Sequence, residues 1–503
     1  MSKSCLIIGG GIGGLVTACL LAKEDYKITI LEQHYIIGGG LHCFHKNGVM
    51  FETGIHYISG FQEGGVLNKI FKYLNIEEHL KIKNLDTNGF DIVHIGSDNS
   101  IIKMGIGKDN YIKILSEKFP EELENIQAYI DDLYKITDAF PLYNLKTDSK
   151  NLWYLDQKFL TPVGTYIEQY VNDIKLQSIL AYNNCLYAGE KYNTPIFLHA
   201  LITKFYIEGA SRFIDGSQQL ADAMVKFIES KGGRVYTSAK VVKVNVENKK
   251  VLNVVTEDNR SFESDCYISG IHPSNLLKMI DQKQVQRSYR ERLKSIKNTY
   301  SVFTMFVSFK PKSFKYLNSV YYYFNDYSNV WGAVDYTDET FPPGFMLITP
   351  PEKNQGAFAS KAIINCMMNF DKVKKWEHTV LGNRDQSYYD FKKMYQDKLI
   401  EKISEVFPEF KNSIKDVFSS TPLTIRDYLG SKEGSLYGYK KESSDIVKSQ
   451  VLPRTKIENL LLTGQNINLH GIMGVPLGSI ITAGVLLGVE NIVNKINQAN
   501  FVE

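Results

Sequence analysis

The segment Ile7-Ile8-Gly9-Gly10-Gly11-Ile12-Gly13-Gly14 sets Gly9, Gly11 and Gly14 at the three positions of a G-x-G-x-x-G turn. The first glycine of such a turn makes the tight bend, the second lets backbone approach a pyrophosphate, and the third lets helix pack on strand. Farther along stands Glu32, an acidic residue at the distance where a carboxylate accepts hydrogen bonds from ribose hydroxyls. Together these residue types can hold the adenosine diphosphate half of a dinucleotide.

A second glycine cluster, Gly38-Gly39-Gly40, follows, and then Phe51-Glu52-Thr53-Gly54-Ile55-His56-Tyr57. The cluster offers further backbone for close approach to an extended ligand. His42, Cys43, His45 and His56 are the side chains here that could ligate a metal, but nothing in their spacing makes them converge, and no metal is expected. His56 is the one candidate for a polar catalytic neighbour of the ligand, with a structural histidine as the equal alternative. No G-x-S-x-G or Ser/His/Asp arrangement is visible. No second glycine turn follows a strand, so a built-in NAD(P)H site is not expected, and the electron donor or acceptor must be bound another way or be another molecule.

These residues need a particular frame. The apolar run Cys5–Ile8 reads as a buried parallel strand, and a helix from about Gly13 to Ala22 carries Leu15, Cys19 and Ala22 on one face. That helix would point free N–H groups and a positive dipole end at phosphate oxygens. Lys27–Leu31 reads as the second strand, delivering Glu32 at its end. The pattern returns from Ile214: Leu220, Met224, Phe227 and Ile228 have helical spacing, and Lys231-Gly232-Gly233 ends that helix. Val235, Lys240–Val246, Val251–Thr256 and Cys266–Ser269 read as strands. Leu460-Leu461-Leu462-Thr463-Gly464-Gln465 is a last buried strand, and Gly471-Ile472-Met473-Gly474-Val475 opens a final helix.

This succession resembles the flavoprotein superfamily of amine oxidases and phytoene desaturases. It is more closely similar to the family of retinol saturase and carotenoid cis–trans isomerase. The residues carrying the closer match are Leu31-Glu32-Gln33-His34, the glycine cluster and Phe51–Tyr57. Gly40 departs from the arginine usual in desaturases and amine oxidases, and Glu52 stands where the family usually has Asp. The resemblance covers residues 5–60, 212–273 and 454–489. It implies FAD as the cofactor, an adenine contact from backbone near Val242, and flavin contacts from Tyr57, Gly464, Gln465, Ile472, Met473, Gly474 and Val475. At Ile214-Asp215-Gly216-Ser217 one glycine stands where relatives carry two.

With 503 residues the chain can form two or three domains around a large core. Its 44% apolar and 22% charged residues are ordinary for a globular protein. A formal charge of +3 gives no basis for nucleic-acid binding. The six cysteines form no C-x-x-C pair and read as reduced thiols in a cytoplasmic protein. Gly471–Val489 is uncharged and nearly long enough to span a bilayer, but Pro476 and its glycines favour burial within the protein. The 31 tyrosines and 27 phenylalanines suit either packed sheet faces or a long apolar pocket. Phe303, Phe306, Phe309, Tyr321–Phe324 and Trp331 are the rings that could line such a pocket. For Lys310, Lys312 and Lys315 a solvated loop is expected, with peripheral contact to anionic lipid headgroups as the alternative.

The expected fold is therefore α/β: a three-layer Rossmann-like FAD-binding domain built from residues 1–75, 211–285 and 436–503. An interleaved α+β cap would be built from 76–210 and 286–435. The expected activity is FAD-dependent oxidoreduction at C=C bonds of an apolar polyene or isoprenoid, of the retinol saturase type. A desaturase or cis–trans isomerase on the same scaffold is the alternative. A prenyl-binding chaperone of Rab escort type is the alternative from another class.

Overall fold

The computed structural model describes residues 3–147, 156–467 and 469–501. A five-stranded parallel sheet runs in the order Leu460–Leu462, Cys266–Ser269, Ser4–Ile8, Lys27–Leu31, Arg234–Tyr236. Its strands come from both ends and the middle of the chain. Alternate residues face opposite layers: Cys5 and Ile7 join one core, while Leu6 and Ile8 join another with Tyr267, Leu460 and Leu462. A strand buried on both faces has to be apolar throughout, as Cys5–Ile8 is.

The glycine-turn helix spans Ile12–Ala22 and is buried from Gly13 to Ala22. The expectation of one apolar face is thus too narrow. The helix packs against both Gly471–Leu487 and Gln218–Ser230, so no side of it faces water. A three-stranded antiparallel sheet, Val241–Glu247, Lys250–Thr256 and Ser261–Phe262, lies beside this unit.

The second large sheet has seven strands: Ile414–Ser420, Ser301–Phe309, Lys361–Met368, Gly344–Ile348, Val320–Phe324, Asp91–Ile95 and Ser100–Met104. All its pairings are antiparallel except that of Val320–Phe324 with Asp91–Ile95. One face turns Phe303, Met305, Val307, Phe309, Tyr321 and Tyr323 into a core shared with Leu399 and Ile403 of the helix Gln386–Val406. Of the rings that could have lined a pocket, Phe303, Phe309, Tyr321 and Tyr323 lie in this core and not on the cavity described below. The opposite face carries Val302, Thr304, Met346, Asn365, Met367 and Tyr322.

The apolar C-terminal stretch forms a helix, Gly471–Leu487, largely buried in its first three turns, and the following helix bends away by 119°. Among the described residues no single helix is long and apolar enough to cross a membrane.

Candidate functional site

Ligands in open parallel sheets lie outside the C-terminal strand ends, where the loops diverge. A cavity of about 380 Å³ opens there, bordered by Ile8, Gly9, Glu32, Gly270 and Gly464 at the ends of four parallel strands. The far face of the seven-stranded sheet closes it from the other side.

The glycines divide by what surrounds them. A side-chain Cβ at Gly13 would come 2.6 Å from the Cα of Gly464, and one at Gly14 would strike the carbonyl of Gly9. These two glycines let the helix seat on the strand ends. At Gly11, Gly40 and Gly471, by contrast, a Cβ would meet no protein atom within 4 Å. The first two border the cavity together with Gly471, so open space and bare backbone coincide there. Thr17 and Thr463 join their hydroxyls at 3.0 Å, and the Ser479 hydroxyl donates to the Gly13 carbonyl at 3.2 Å. These contacts lock the turn, the last parallel strand and the C-terminal helix together.

Glu32 is buried, and both its oxygens are engaged: Oε2 accepts the Gly10 N–H at 2.7 Å and Oε1 the His34 N–H at 2.8 Å. Each oxygen keeps a lone pair for a ligand hydroxyl. At the second glycine cluster, His42 Nε2 accepts the Gly39 N–H at 3.0 Å, and its ring stacks on His34 at 4.7 Å. That bond needs a neutral imidazole, and burial, reinforced by His34, lowers the His42 pKa to about 4. The His42 carbonyl accepts the Thr53 N–H and hydroxyl, which fixes the run Thr53–Tyr57 along the cavity.

The cap wall follows from strand alternation. Val302 and Thr304 pair across the ladder with Met367 and Asn365, and Met346 pairs with Asn365, so all five share one face and border the cavity. Ile202, Phe205 and Tyr206 of the helix Ile196–Glu208 and Tyr437 complete the wall. Tyr57 contributes its ring but turns its hydroxyl to that of Tyr322, 2.6 Å away. His56 also borders the cavity; its Nδ1 lies 3.9 Å from Glu52 and has no hydrogen-bond partner. His470, at the start of the C-terminal helix, is buried with an unpartnered Nδ1, and burial holds its pKa near 4.

Of the residues singled out from sequence, Gly9, Gly11, Gly13, Gly14, Glu32, Gly39, Gly40, His56, Tyr57, Gly464, Gln465, Ile472, Met473 and Val475 border the cavity. Three expected there face elsewhere. Gly38 turns toward Ala221, with φ +124°. Gly474 packs against Leu469. Val242 is exposed, and the alternation of the strand turns its neighbour Val241 to the cavity instead. Gly216, in the loop where relatives carry two glycines, packs on Cys43 and Met50 and not on the cavity. His45 points away on the hairpin, and no group of three metal-ligating side chains converges among the described residues.

Sequence reading missed Gly270-Ile271-His272 and the stretch Tyr428–Ser431. The first was within reach, because it directly follows a parallel strand. The second comes from the cap, and no local pattern marks its approach to Gln33.

A turn with open backbone, two helix N-termini and a buried ribose-type carboxylate define a dinucleotide-binding flavoprotein site, and the bare space at Gly11, Gly40 and Gly471 fits FAD. Residues 12–349 match the family described as flavin containing amine oxidoreductase, and the chain belongs to that family. It is 26% identical to an all-trans-retinol 13,14-reductase of Rattus norvegicus, across 96% of this chain and 85% of the relative. It is 24% identical to a prolycopene isomerase of an Oncidium hybrid cultivar, across 86% and 74%. Among solved structures, an oxidoreductase of Methanosarcina mazei shares the fold with a TM-score of 0.64 at 14% identity, covering 95% of this chain and 99% of that one. A putrescine oxidase with bound putrescine does so with a TM-score of 0.62 at 12% identity, covering 97% and 99%. The protein is thus an FAD-dependent oxidoreductase.

Proposed function

We propose that this oxidoreductase acts on carbon–carbon double bonds of an apolar polyene or isoprenoid, in the manner of a retinol saturase. The observation that carries the reading is the cap wall of the cavity. Among the described residues the lining holds no Lys, Arg or Asp, and its one carboxylate, Glu32, belongs to the opposite, nucleotide-binding wall. An ammonium substrate would find no counter-charge there. A polyene would gain roughly 25 cal/mol for each Å² removed from water, and flat conjugated segments stack well on rings such as Phe205, Tyr206 and Tyr437. The names of the retinol reductase and prolycopene isomerase relatives fit the same substrate class.

In this reading the Gly9–Gly14 turn and the helix after it hold the pyrophosphate, and Glu32 takes the adenosine ribose. Gly40, Thr53–Tyr57, Gly464-Gln465 and Ile472-Met473 surround the ring system. Bound there, FAD supplies two-electron chemistry at a substrate carbon. The chain's own part is to exclude water and to lay the polyene along the Val302–Met367 face, while burial keeps His42 and His470 neutral. Electrons come from a separate donor or go to a separate acceptor. We place the protein in the cytoplasm, with peripheral membrane contact as its route to a water-insoluble substrate.

The test is anaerobic incubation of the reduced holoprotein with retinol and carotenoid panels, following flavin absorbance and products together. Loss of one double bond with flavin reoxidation is the expected result. A geometric isomer with no net redox change would move the assignment to isomerisation. Flavin reduction by primary amines, with no change in any polyene, would overturn the reading.

A further inference from the structure

Of the five residues that the seven-stranded sheet turns to the cavity, two are polar. Thr304 and Asn365 stand opposite each other on neighbouring strands, in a wall otherwise made by Val302, Met346 and Met367. Both are buried, and the Thr304 hydroxyl donates to Asn365 Oδ1 at 2.7 Å. That bond commits the threonine proton and turns the amide, leaving the two N–H groups of Nδ2. They bond no protein acceptor among the described residues, yet the nitrogen is not sealed in, so it faces the cavity. Turned the other way, the amide would leave the Thr304 proton with no acceptor among the described residues. A wall that met only hydrocarbon would be better served by Val and Leu here, because a buried polar group is unfavourable unless it is paired. The free half of Asn365 calls for an acceptor on the ligand.

We propose that the substrate carries a carbonyl conjugated with its reducible double bond and that the Asn365 amide donates to the carbonyl oxygen. Thr304 is the positioning residue that aims the amide. The proposal rests on the polyene reading above and narrows it. A carboxylate would find no Lys or Arg among the described lining residues. An alcohol oxygen could accept the same N–H, but it gains no charge during the reaction.

A conjugated carbonyl does gain charge. The β carbon accepts hydride, supplied with its two electrons by reduced FAD. The C=C π pair then moves to join the α carbon to the carbonyl carbon, and the C=O π pair moves onto oxygen. The resulting enolate takes a proton from water at the α carbon, and the carbonyl re-forms. An external two-electron donor restores the reduced flavin. A hydrogen bond to that oxygen is stronger in the transition state than in the ground state, so it lowers the barrier. The apolar neighbours Val302, Met346 and Met367 enlarge the difference by keeping the local dielectric low.

Binding to the oxidised holoprotein tests the anchor without turnover. Retinal, retinol and the matching hydrocarbon with a methyl end differ only in the terminal group. Isotope-edited infrared difference spectra should show the retinal C=O stretch lowered on binding, and Asn365→Leu should abolish the shift. In that variant the dissociation constant of retinal should rise about tenfold while that of the hydrocarbon holds. Retinal reduction should fall roughly 100-fold or more, the scale of a lost oxyanion donor. Thr304→Val should act in the same direction, and Thr304→Ser, which keeps the hydroxyl, should behave as the wild type. An unshifted stretch, equal weakening of all three ligands, or full retinal reduction in Asn365→Leu would overturn the proposal. If Asn365→Leu does not fold, the wild-type stretch and the two Thr304 variants still decide. Retinol reduced as readily as retinal would overturn the proposal and leave the polyene reading standing. A shifted stretch for a short enal such as cinnamaldehyde, with no polyene bound, would overturn the polyene reading and support the anchor.

Discussion

The Glu32 carboxylate accepts the backbone N–H of Gly10 at 2.7 Å, tying the end of the second strand to the middle of the glycine turn. One side chain therefore serves two purposes, because the oxygens that face a ribose also hold the loop that cradles the phosphates. Glu32→Ala removes the ribose acceptor and leaves the buried N–H of Gly10 and the half-buried N–H of His34 without a partner. A charge-assisted hydrogen bond contributes about 1.5–3 kcal/mol, so FAD affinity should fall by roughly tenfold to a hundredfold. Fluorescence titration of the apoprotein measures it, and an unchanged dissociation constant would refute the role.

Substitutions in the turn should separate binding from folding. Gly11→Val projects into open cavity space, so the fold should persist while FAD affinity drops by roughly a hundredfold or more. Gly13→Ala collides with the backbone of Gly464, so it should lower stability as overpacking does, by about 1–3 kcal/mol. Absorbance at the flavin bands and thermal melts, read on the same preparations, distinguish the two. A yellow, fully loaded Gly11→Val would show that the phosphates lie elsewhere.

Stability should peak near neutral pH, for two opposed reasons. Burial holds His42, His272 and His470 near 4 and His199 near 3, against about 6.5 in an unfolded chain. As pH falls below that value the unfolded chain binds more protons, so stability drops by up to about 1.4 kcal/mol per pH unit for each histidine. Asp91 has the opposite sign. Its folded pKa of about 8 exceeds the ordinary 3.8, so the folded state holds the extra proton and stability falls as pH rises between the two. Thermal melts across pH should show that decline between the histidine value of about 6.5 and the Asp91 value of about 8, and Asp91→Asn should remove it. The same slope in both proteins would mean that Asp91 is ionised in the fold.

The cap wall should control substrate length. Met367 is buried on the cavity-facing side of its strand, opposite Val302. Met367→Trp would narrow the cavity without touching the nucleotide turn. A loss of about 1.4 kcal/mol corresponds to a tenfold change, and long polyenes should bind at least roughly tenfold more weakly while FAD content is unchanged. Equal affinities for short and long polyenes in that variant would place the substrate on another surface.

Much of the nucleotide-binding unit could be read from the sequence by itself, because its signals are local. The glycine turn, the apolar strand before it, Glu32 after the second strand and the final Thr463-Gly464-Gln465 all act through backbone geometry that a few neighbouring residues dictate. The tertiary structure decided what depends on distant partners. Val241 rather than Val242 faces the cavity because strand register is set by the pairing of Val241 with Thr256, across a hairpin that carries its own irregularity. The rings of Phe303, Phe309, Tyr321 and Tyr323 went into a second core because a long helix from residues 386–406 covers that face. No period in the sequence says which side of a two-faced apolar strand a helix will cover. No local pattern marks Asp91, which the fold buries fully with the Tyr182 hydroxyl on its carboxyl; burial is a property of the assembled fold, and burial is what makes its proton hard to remove.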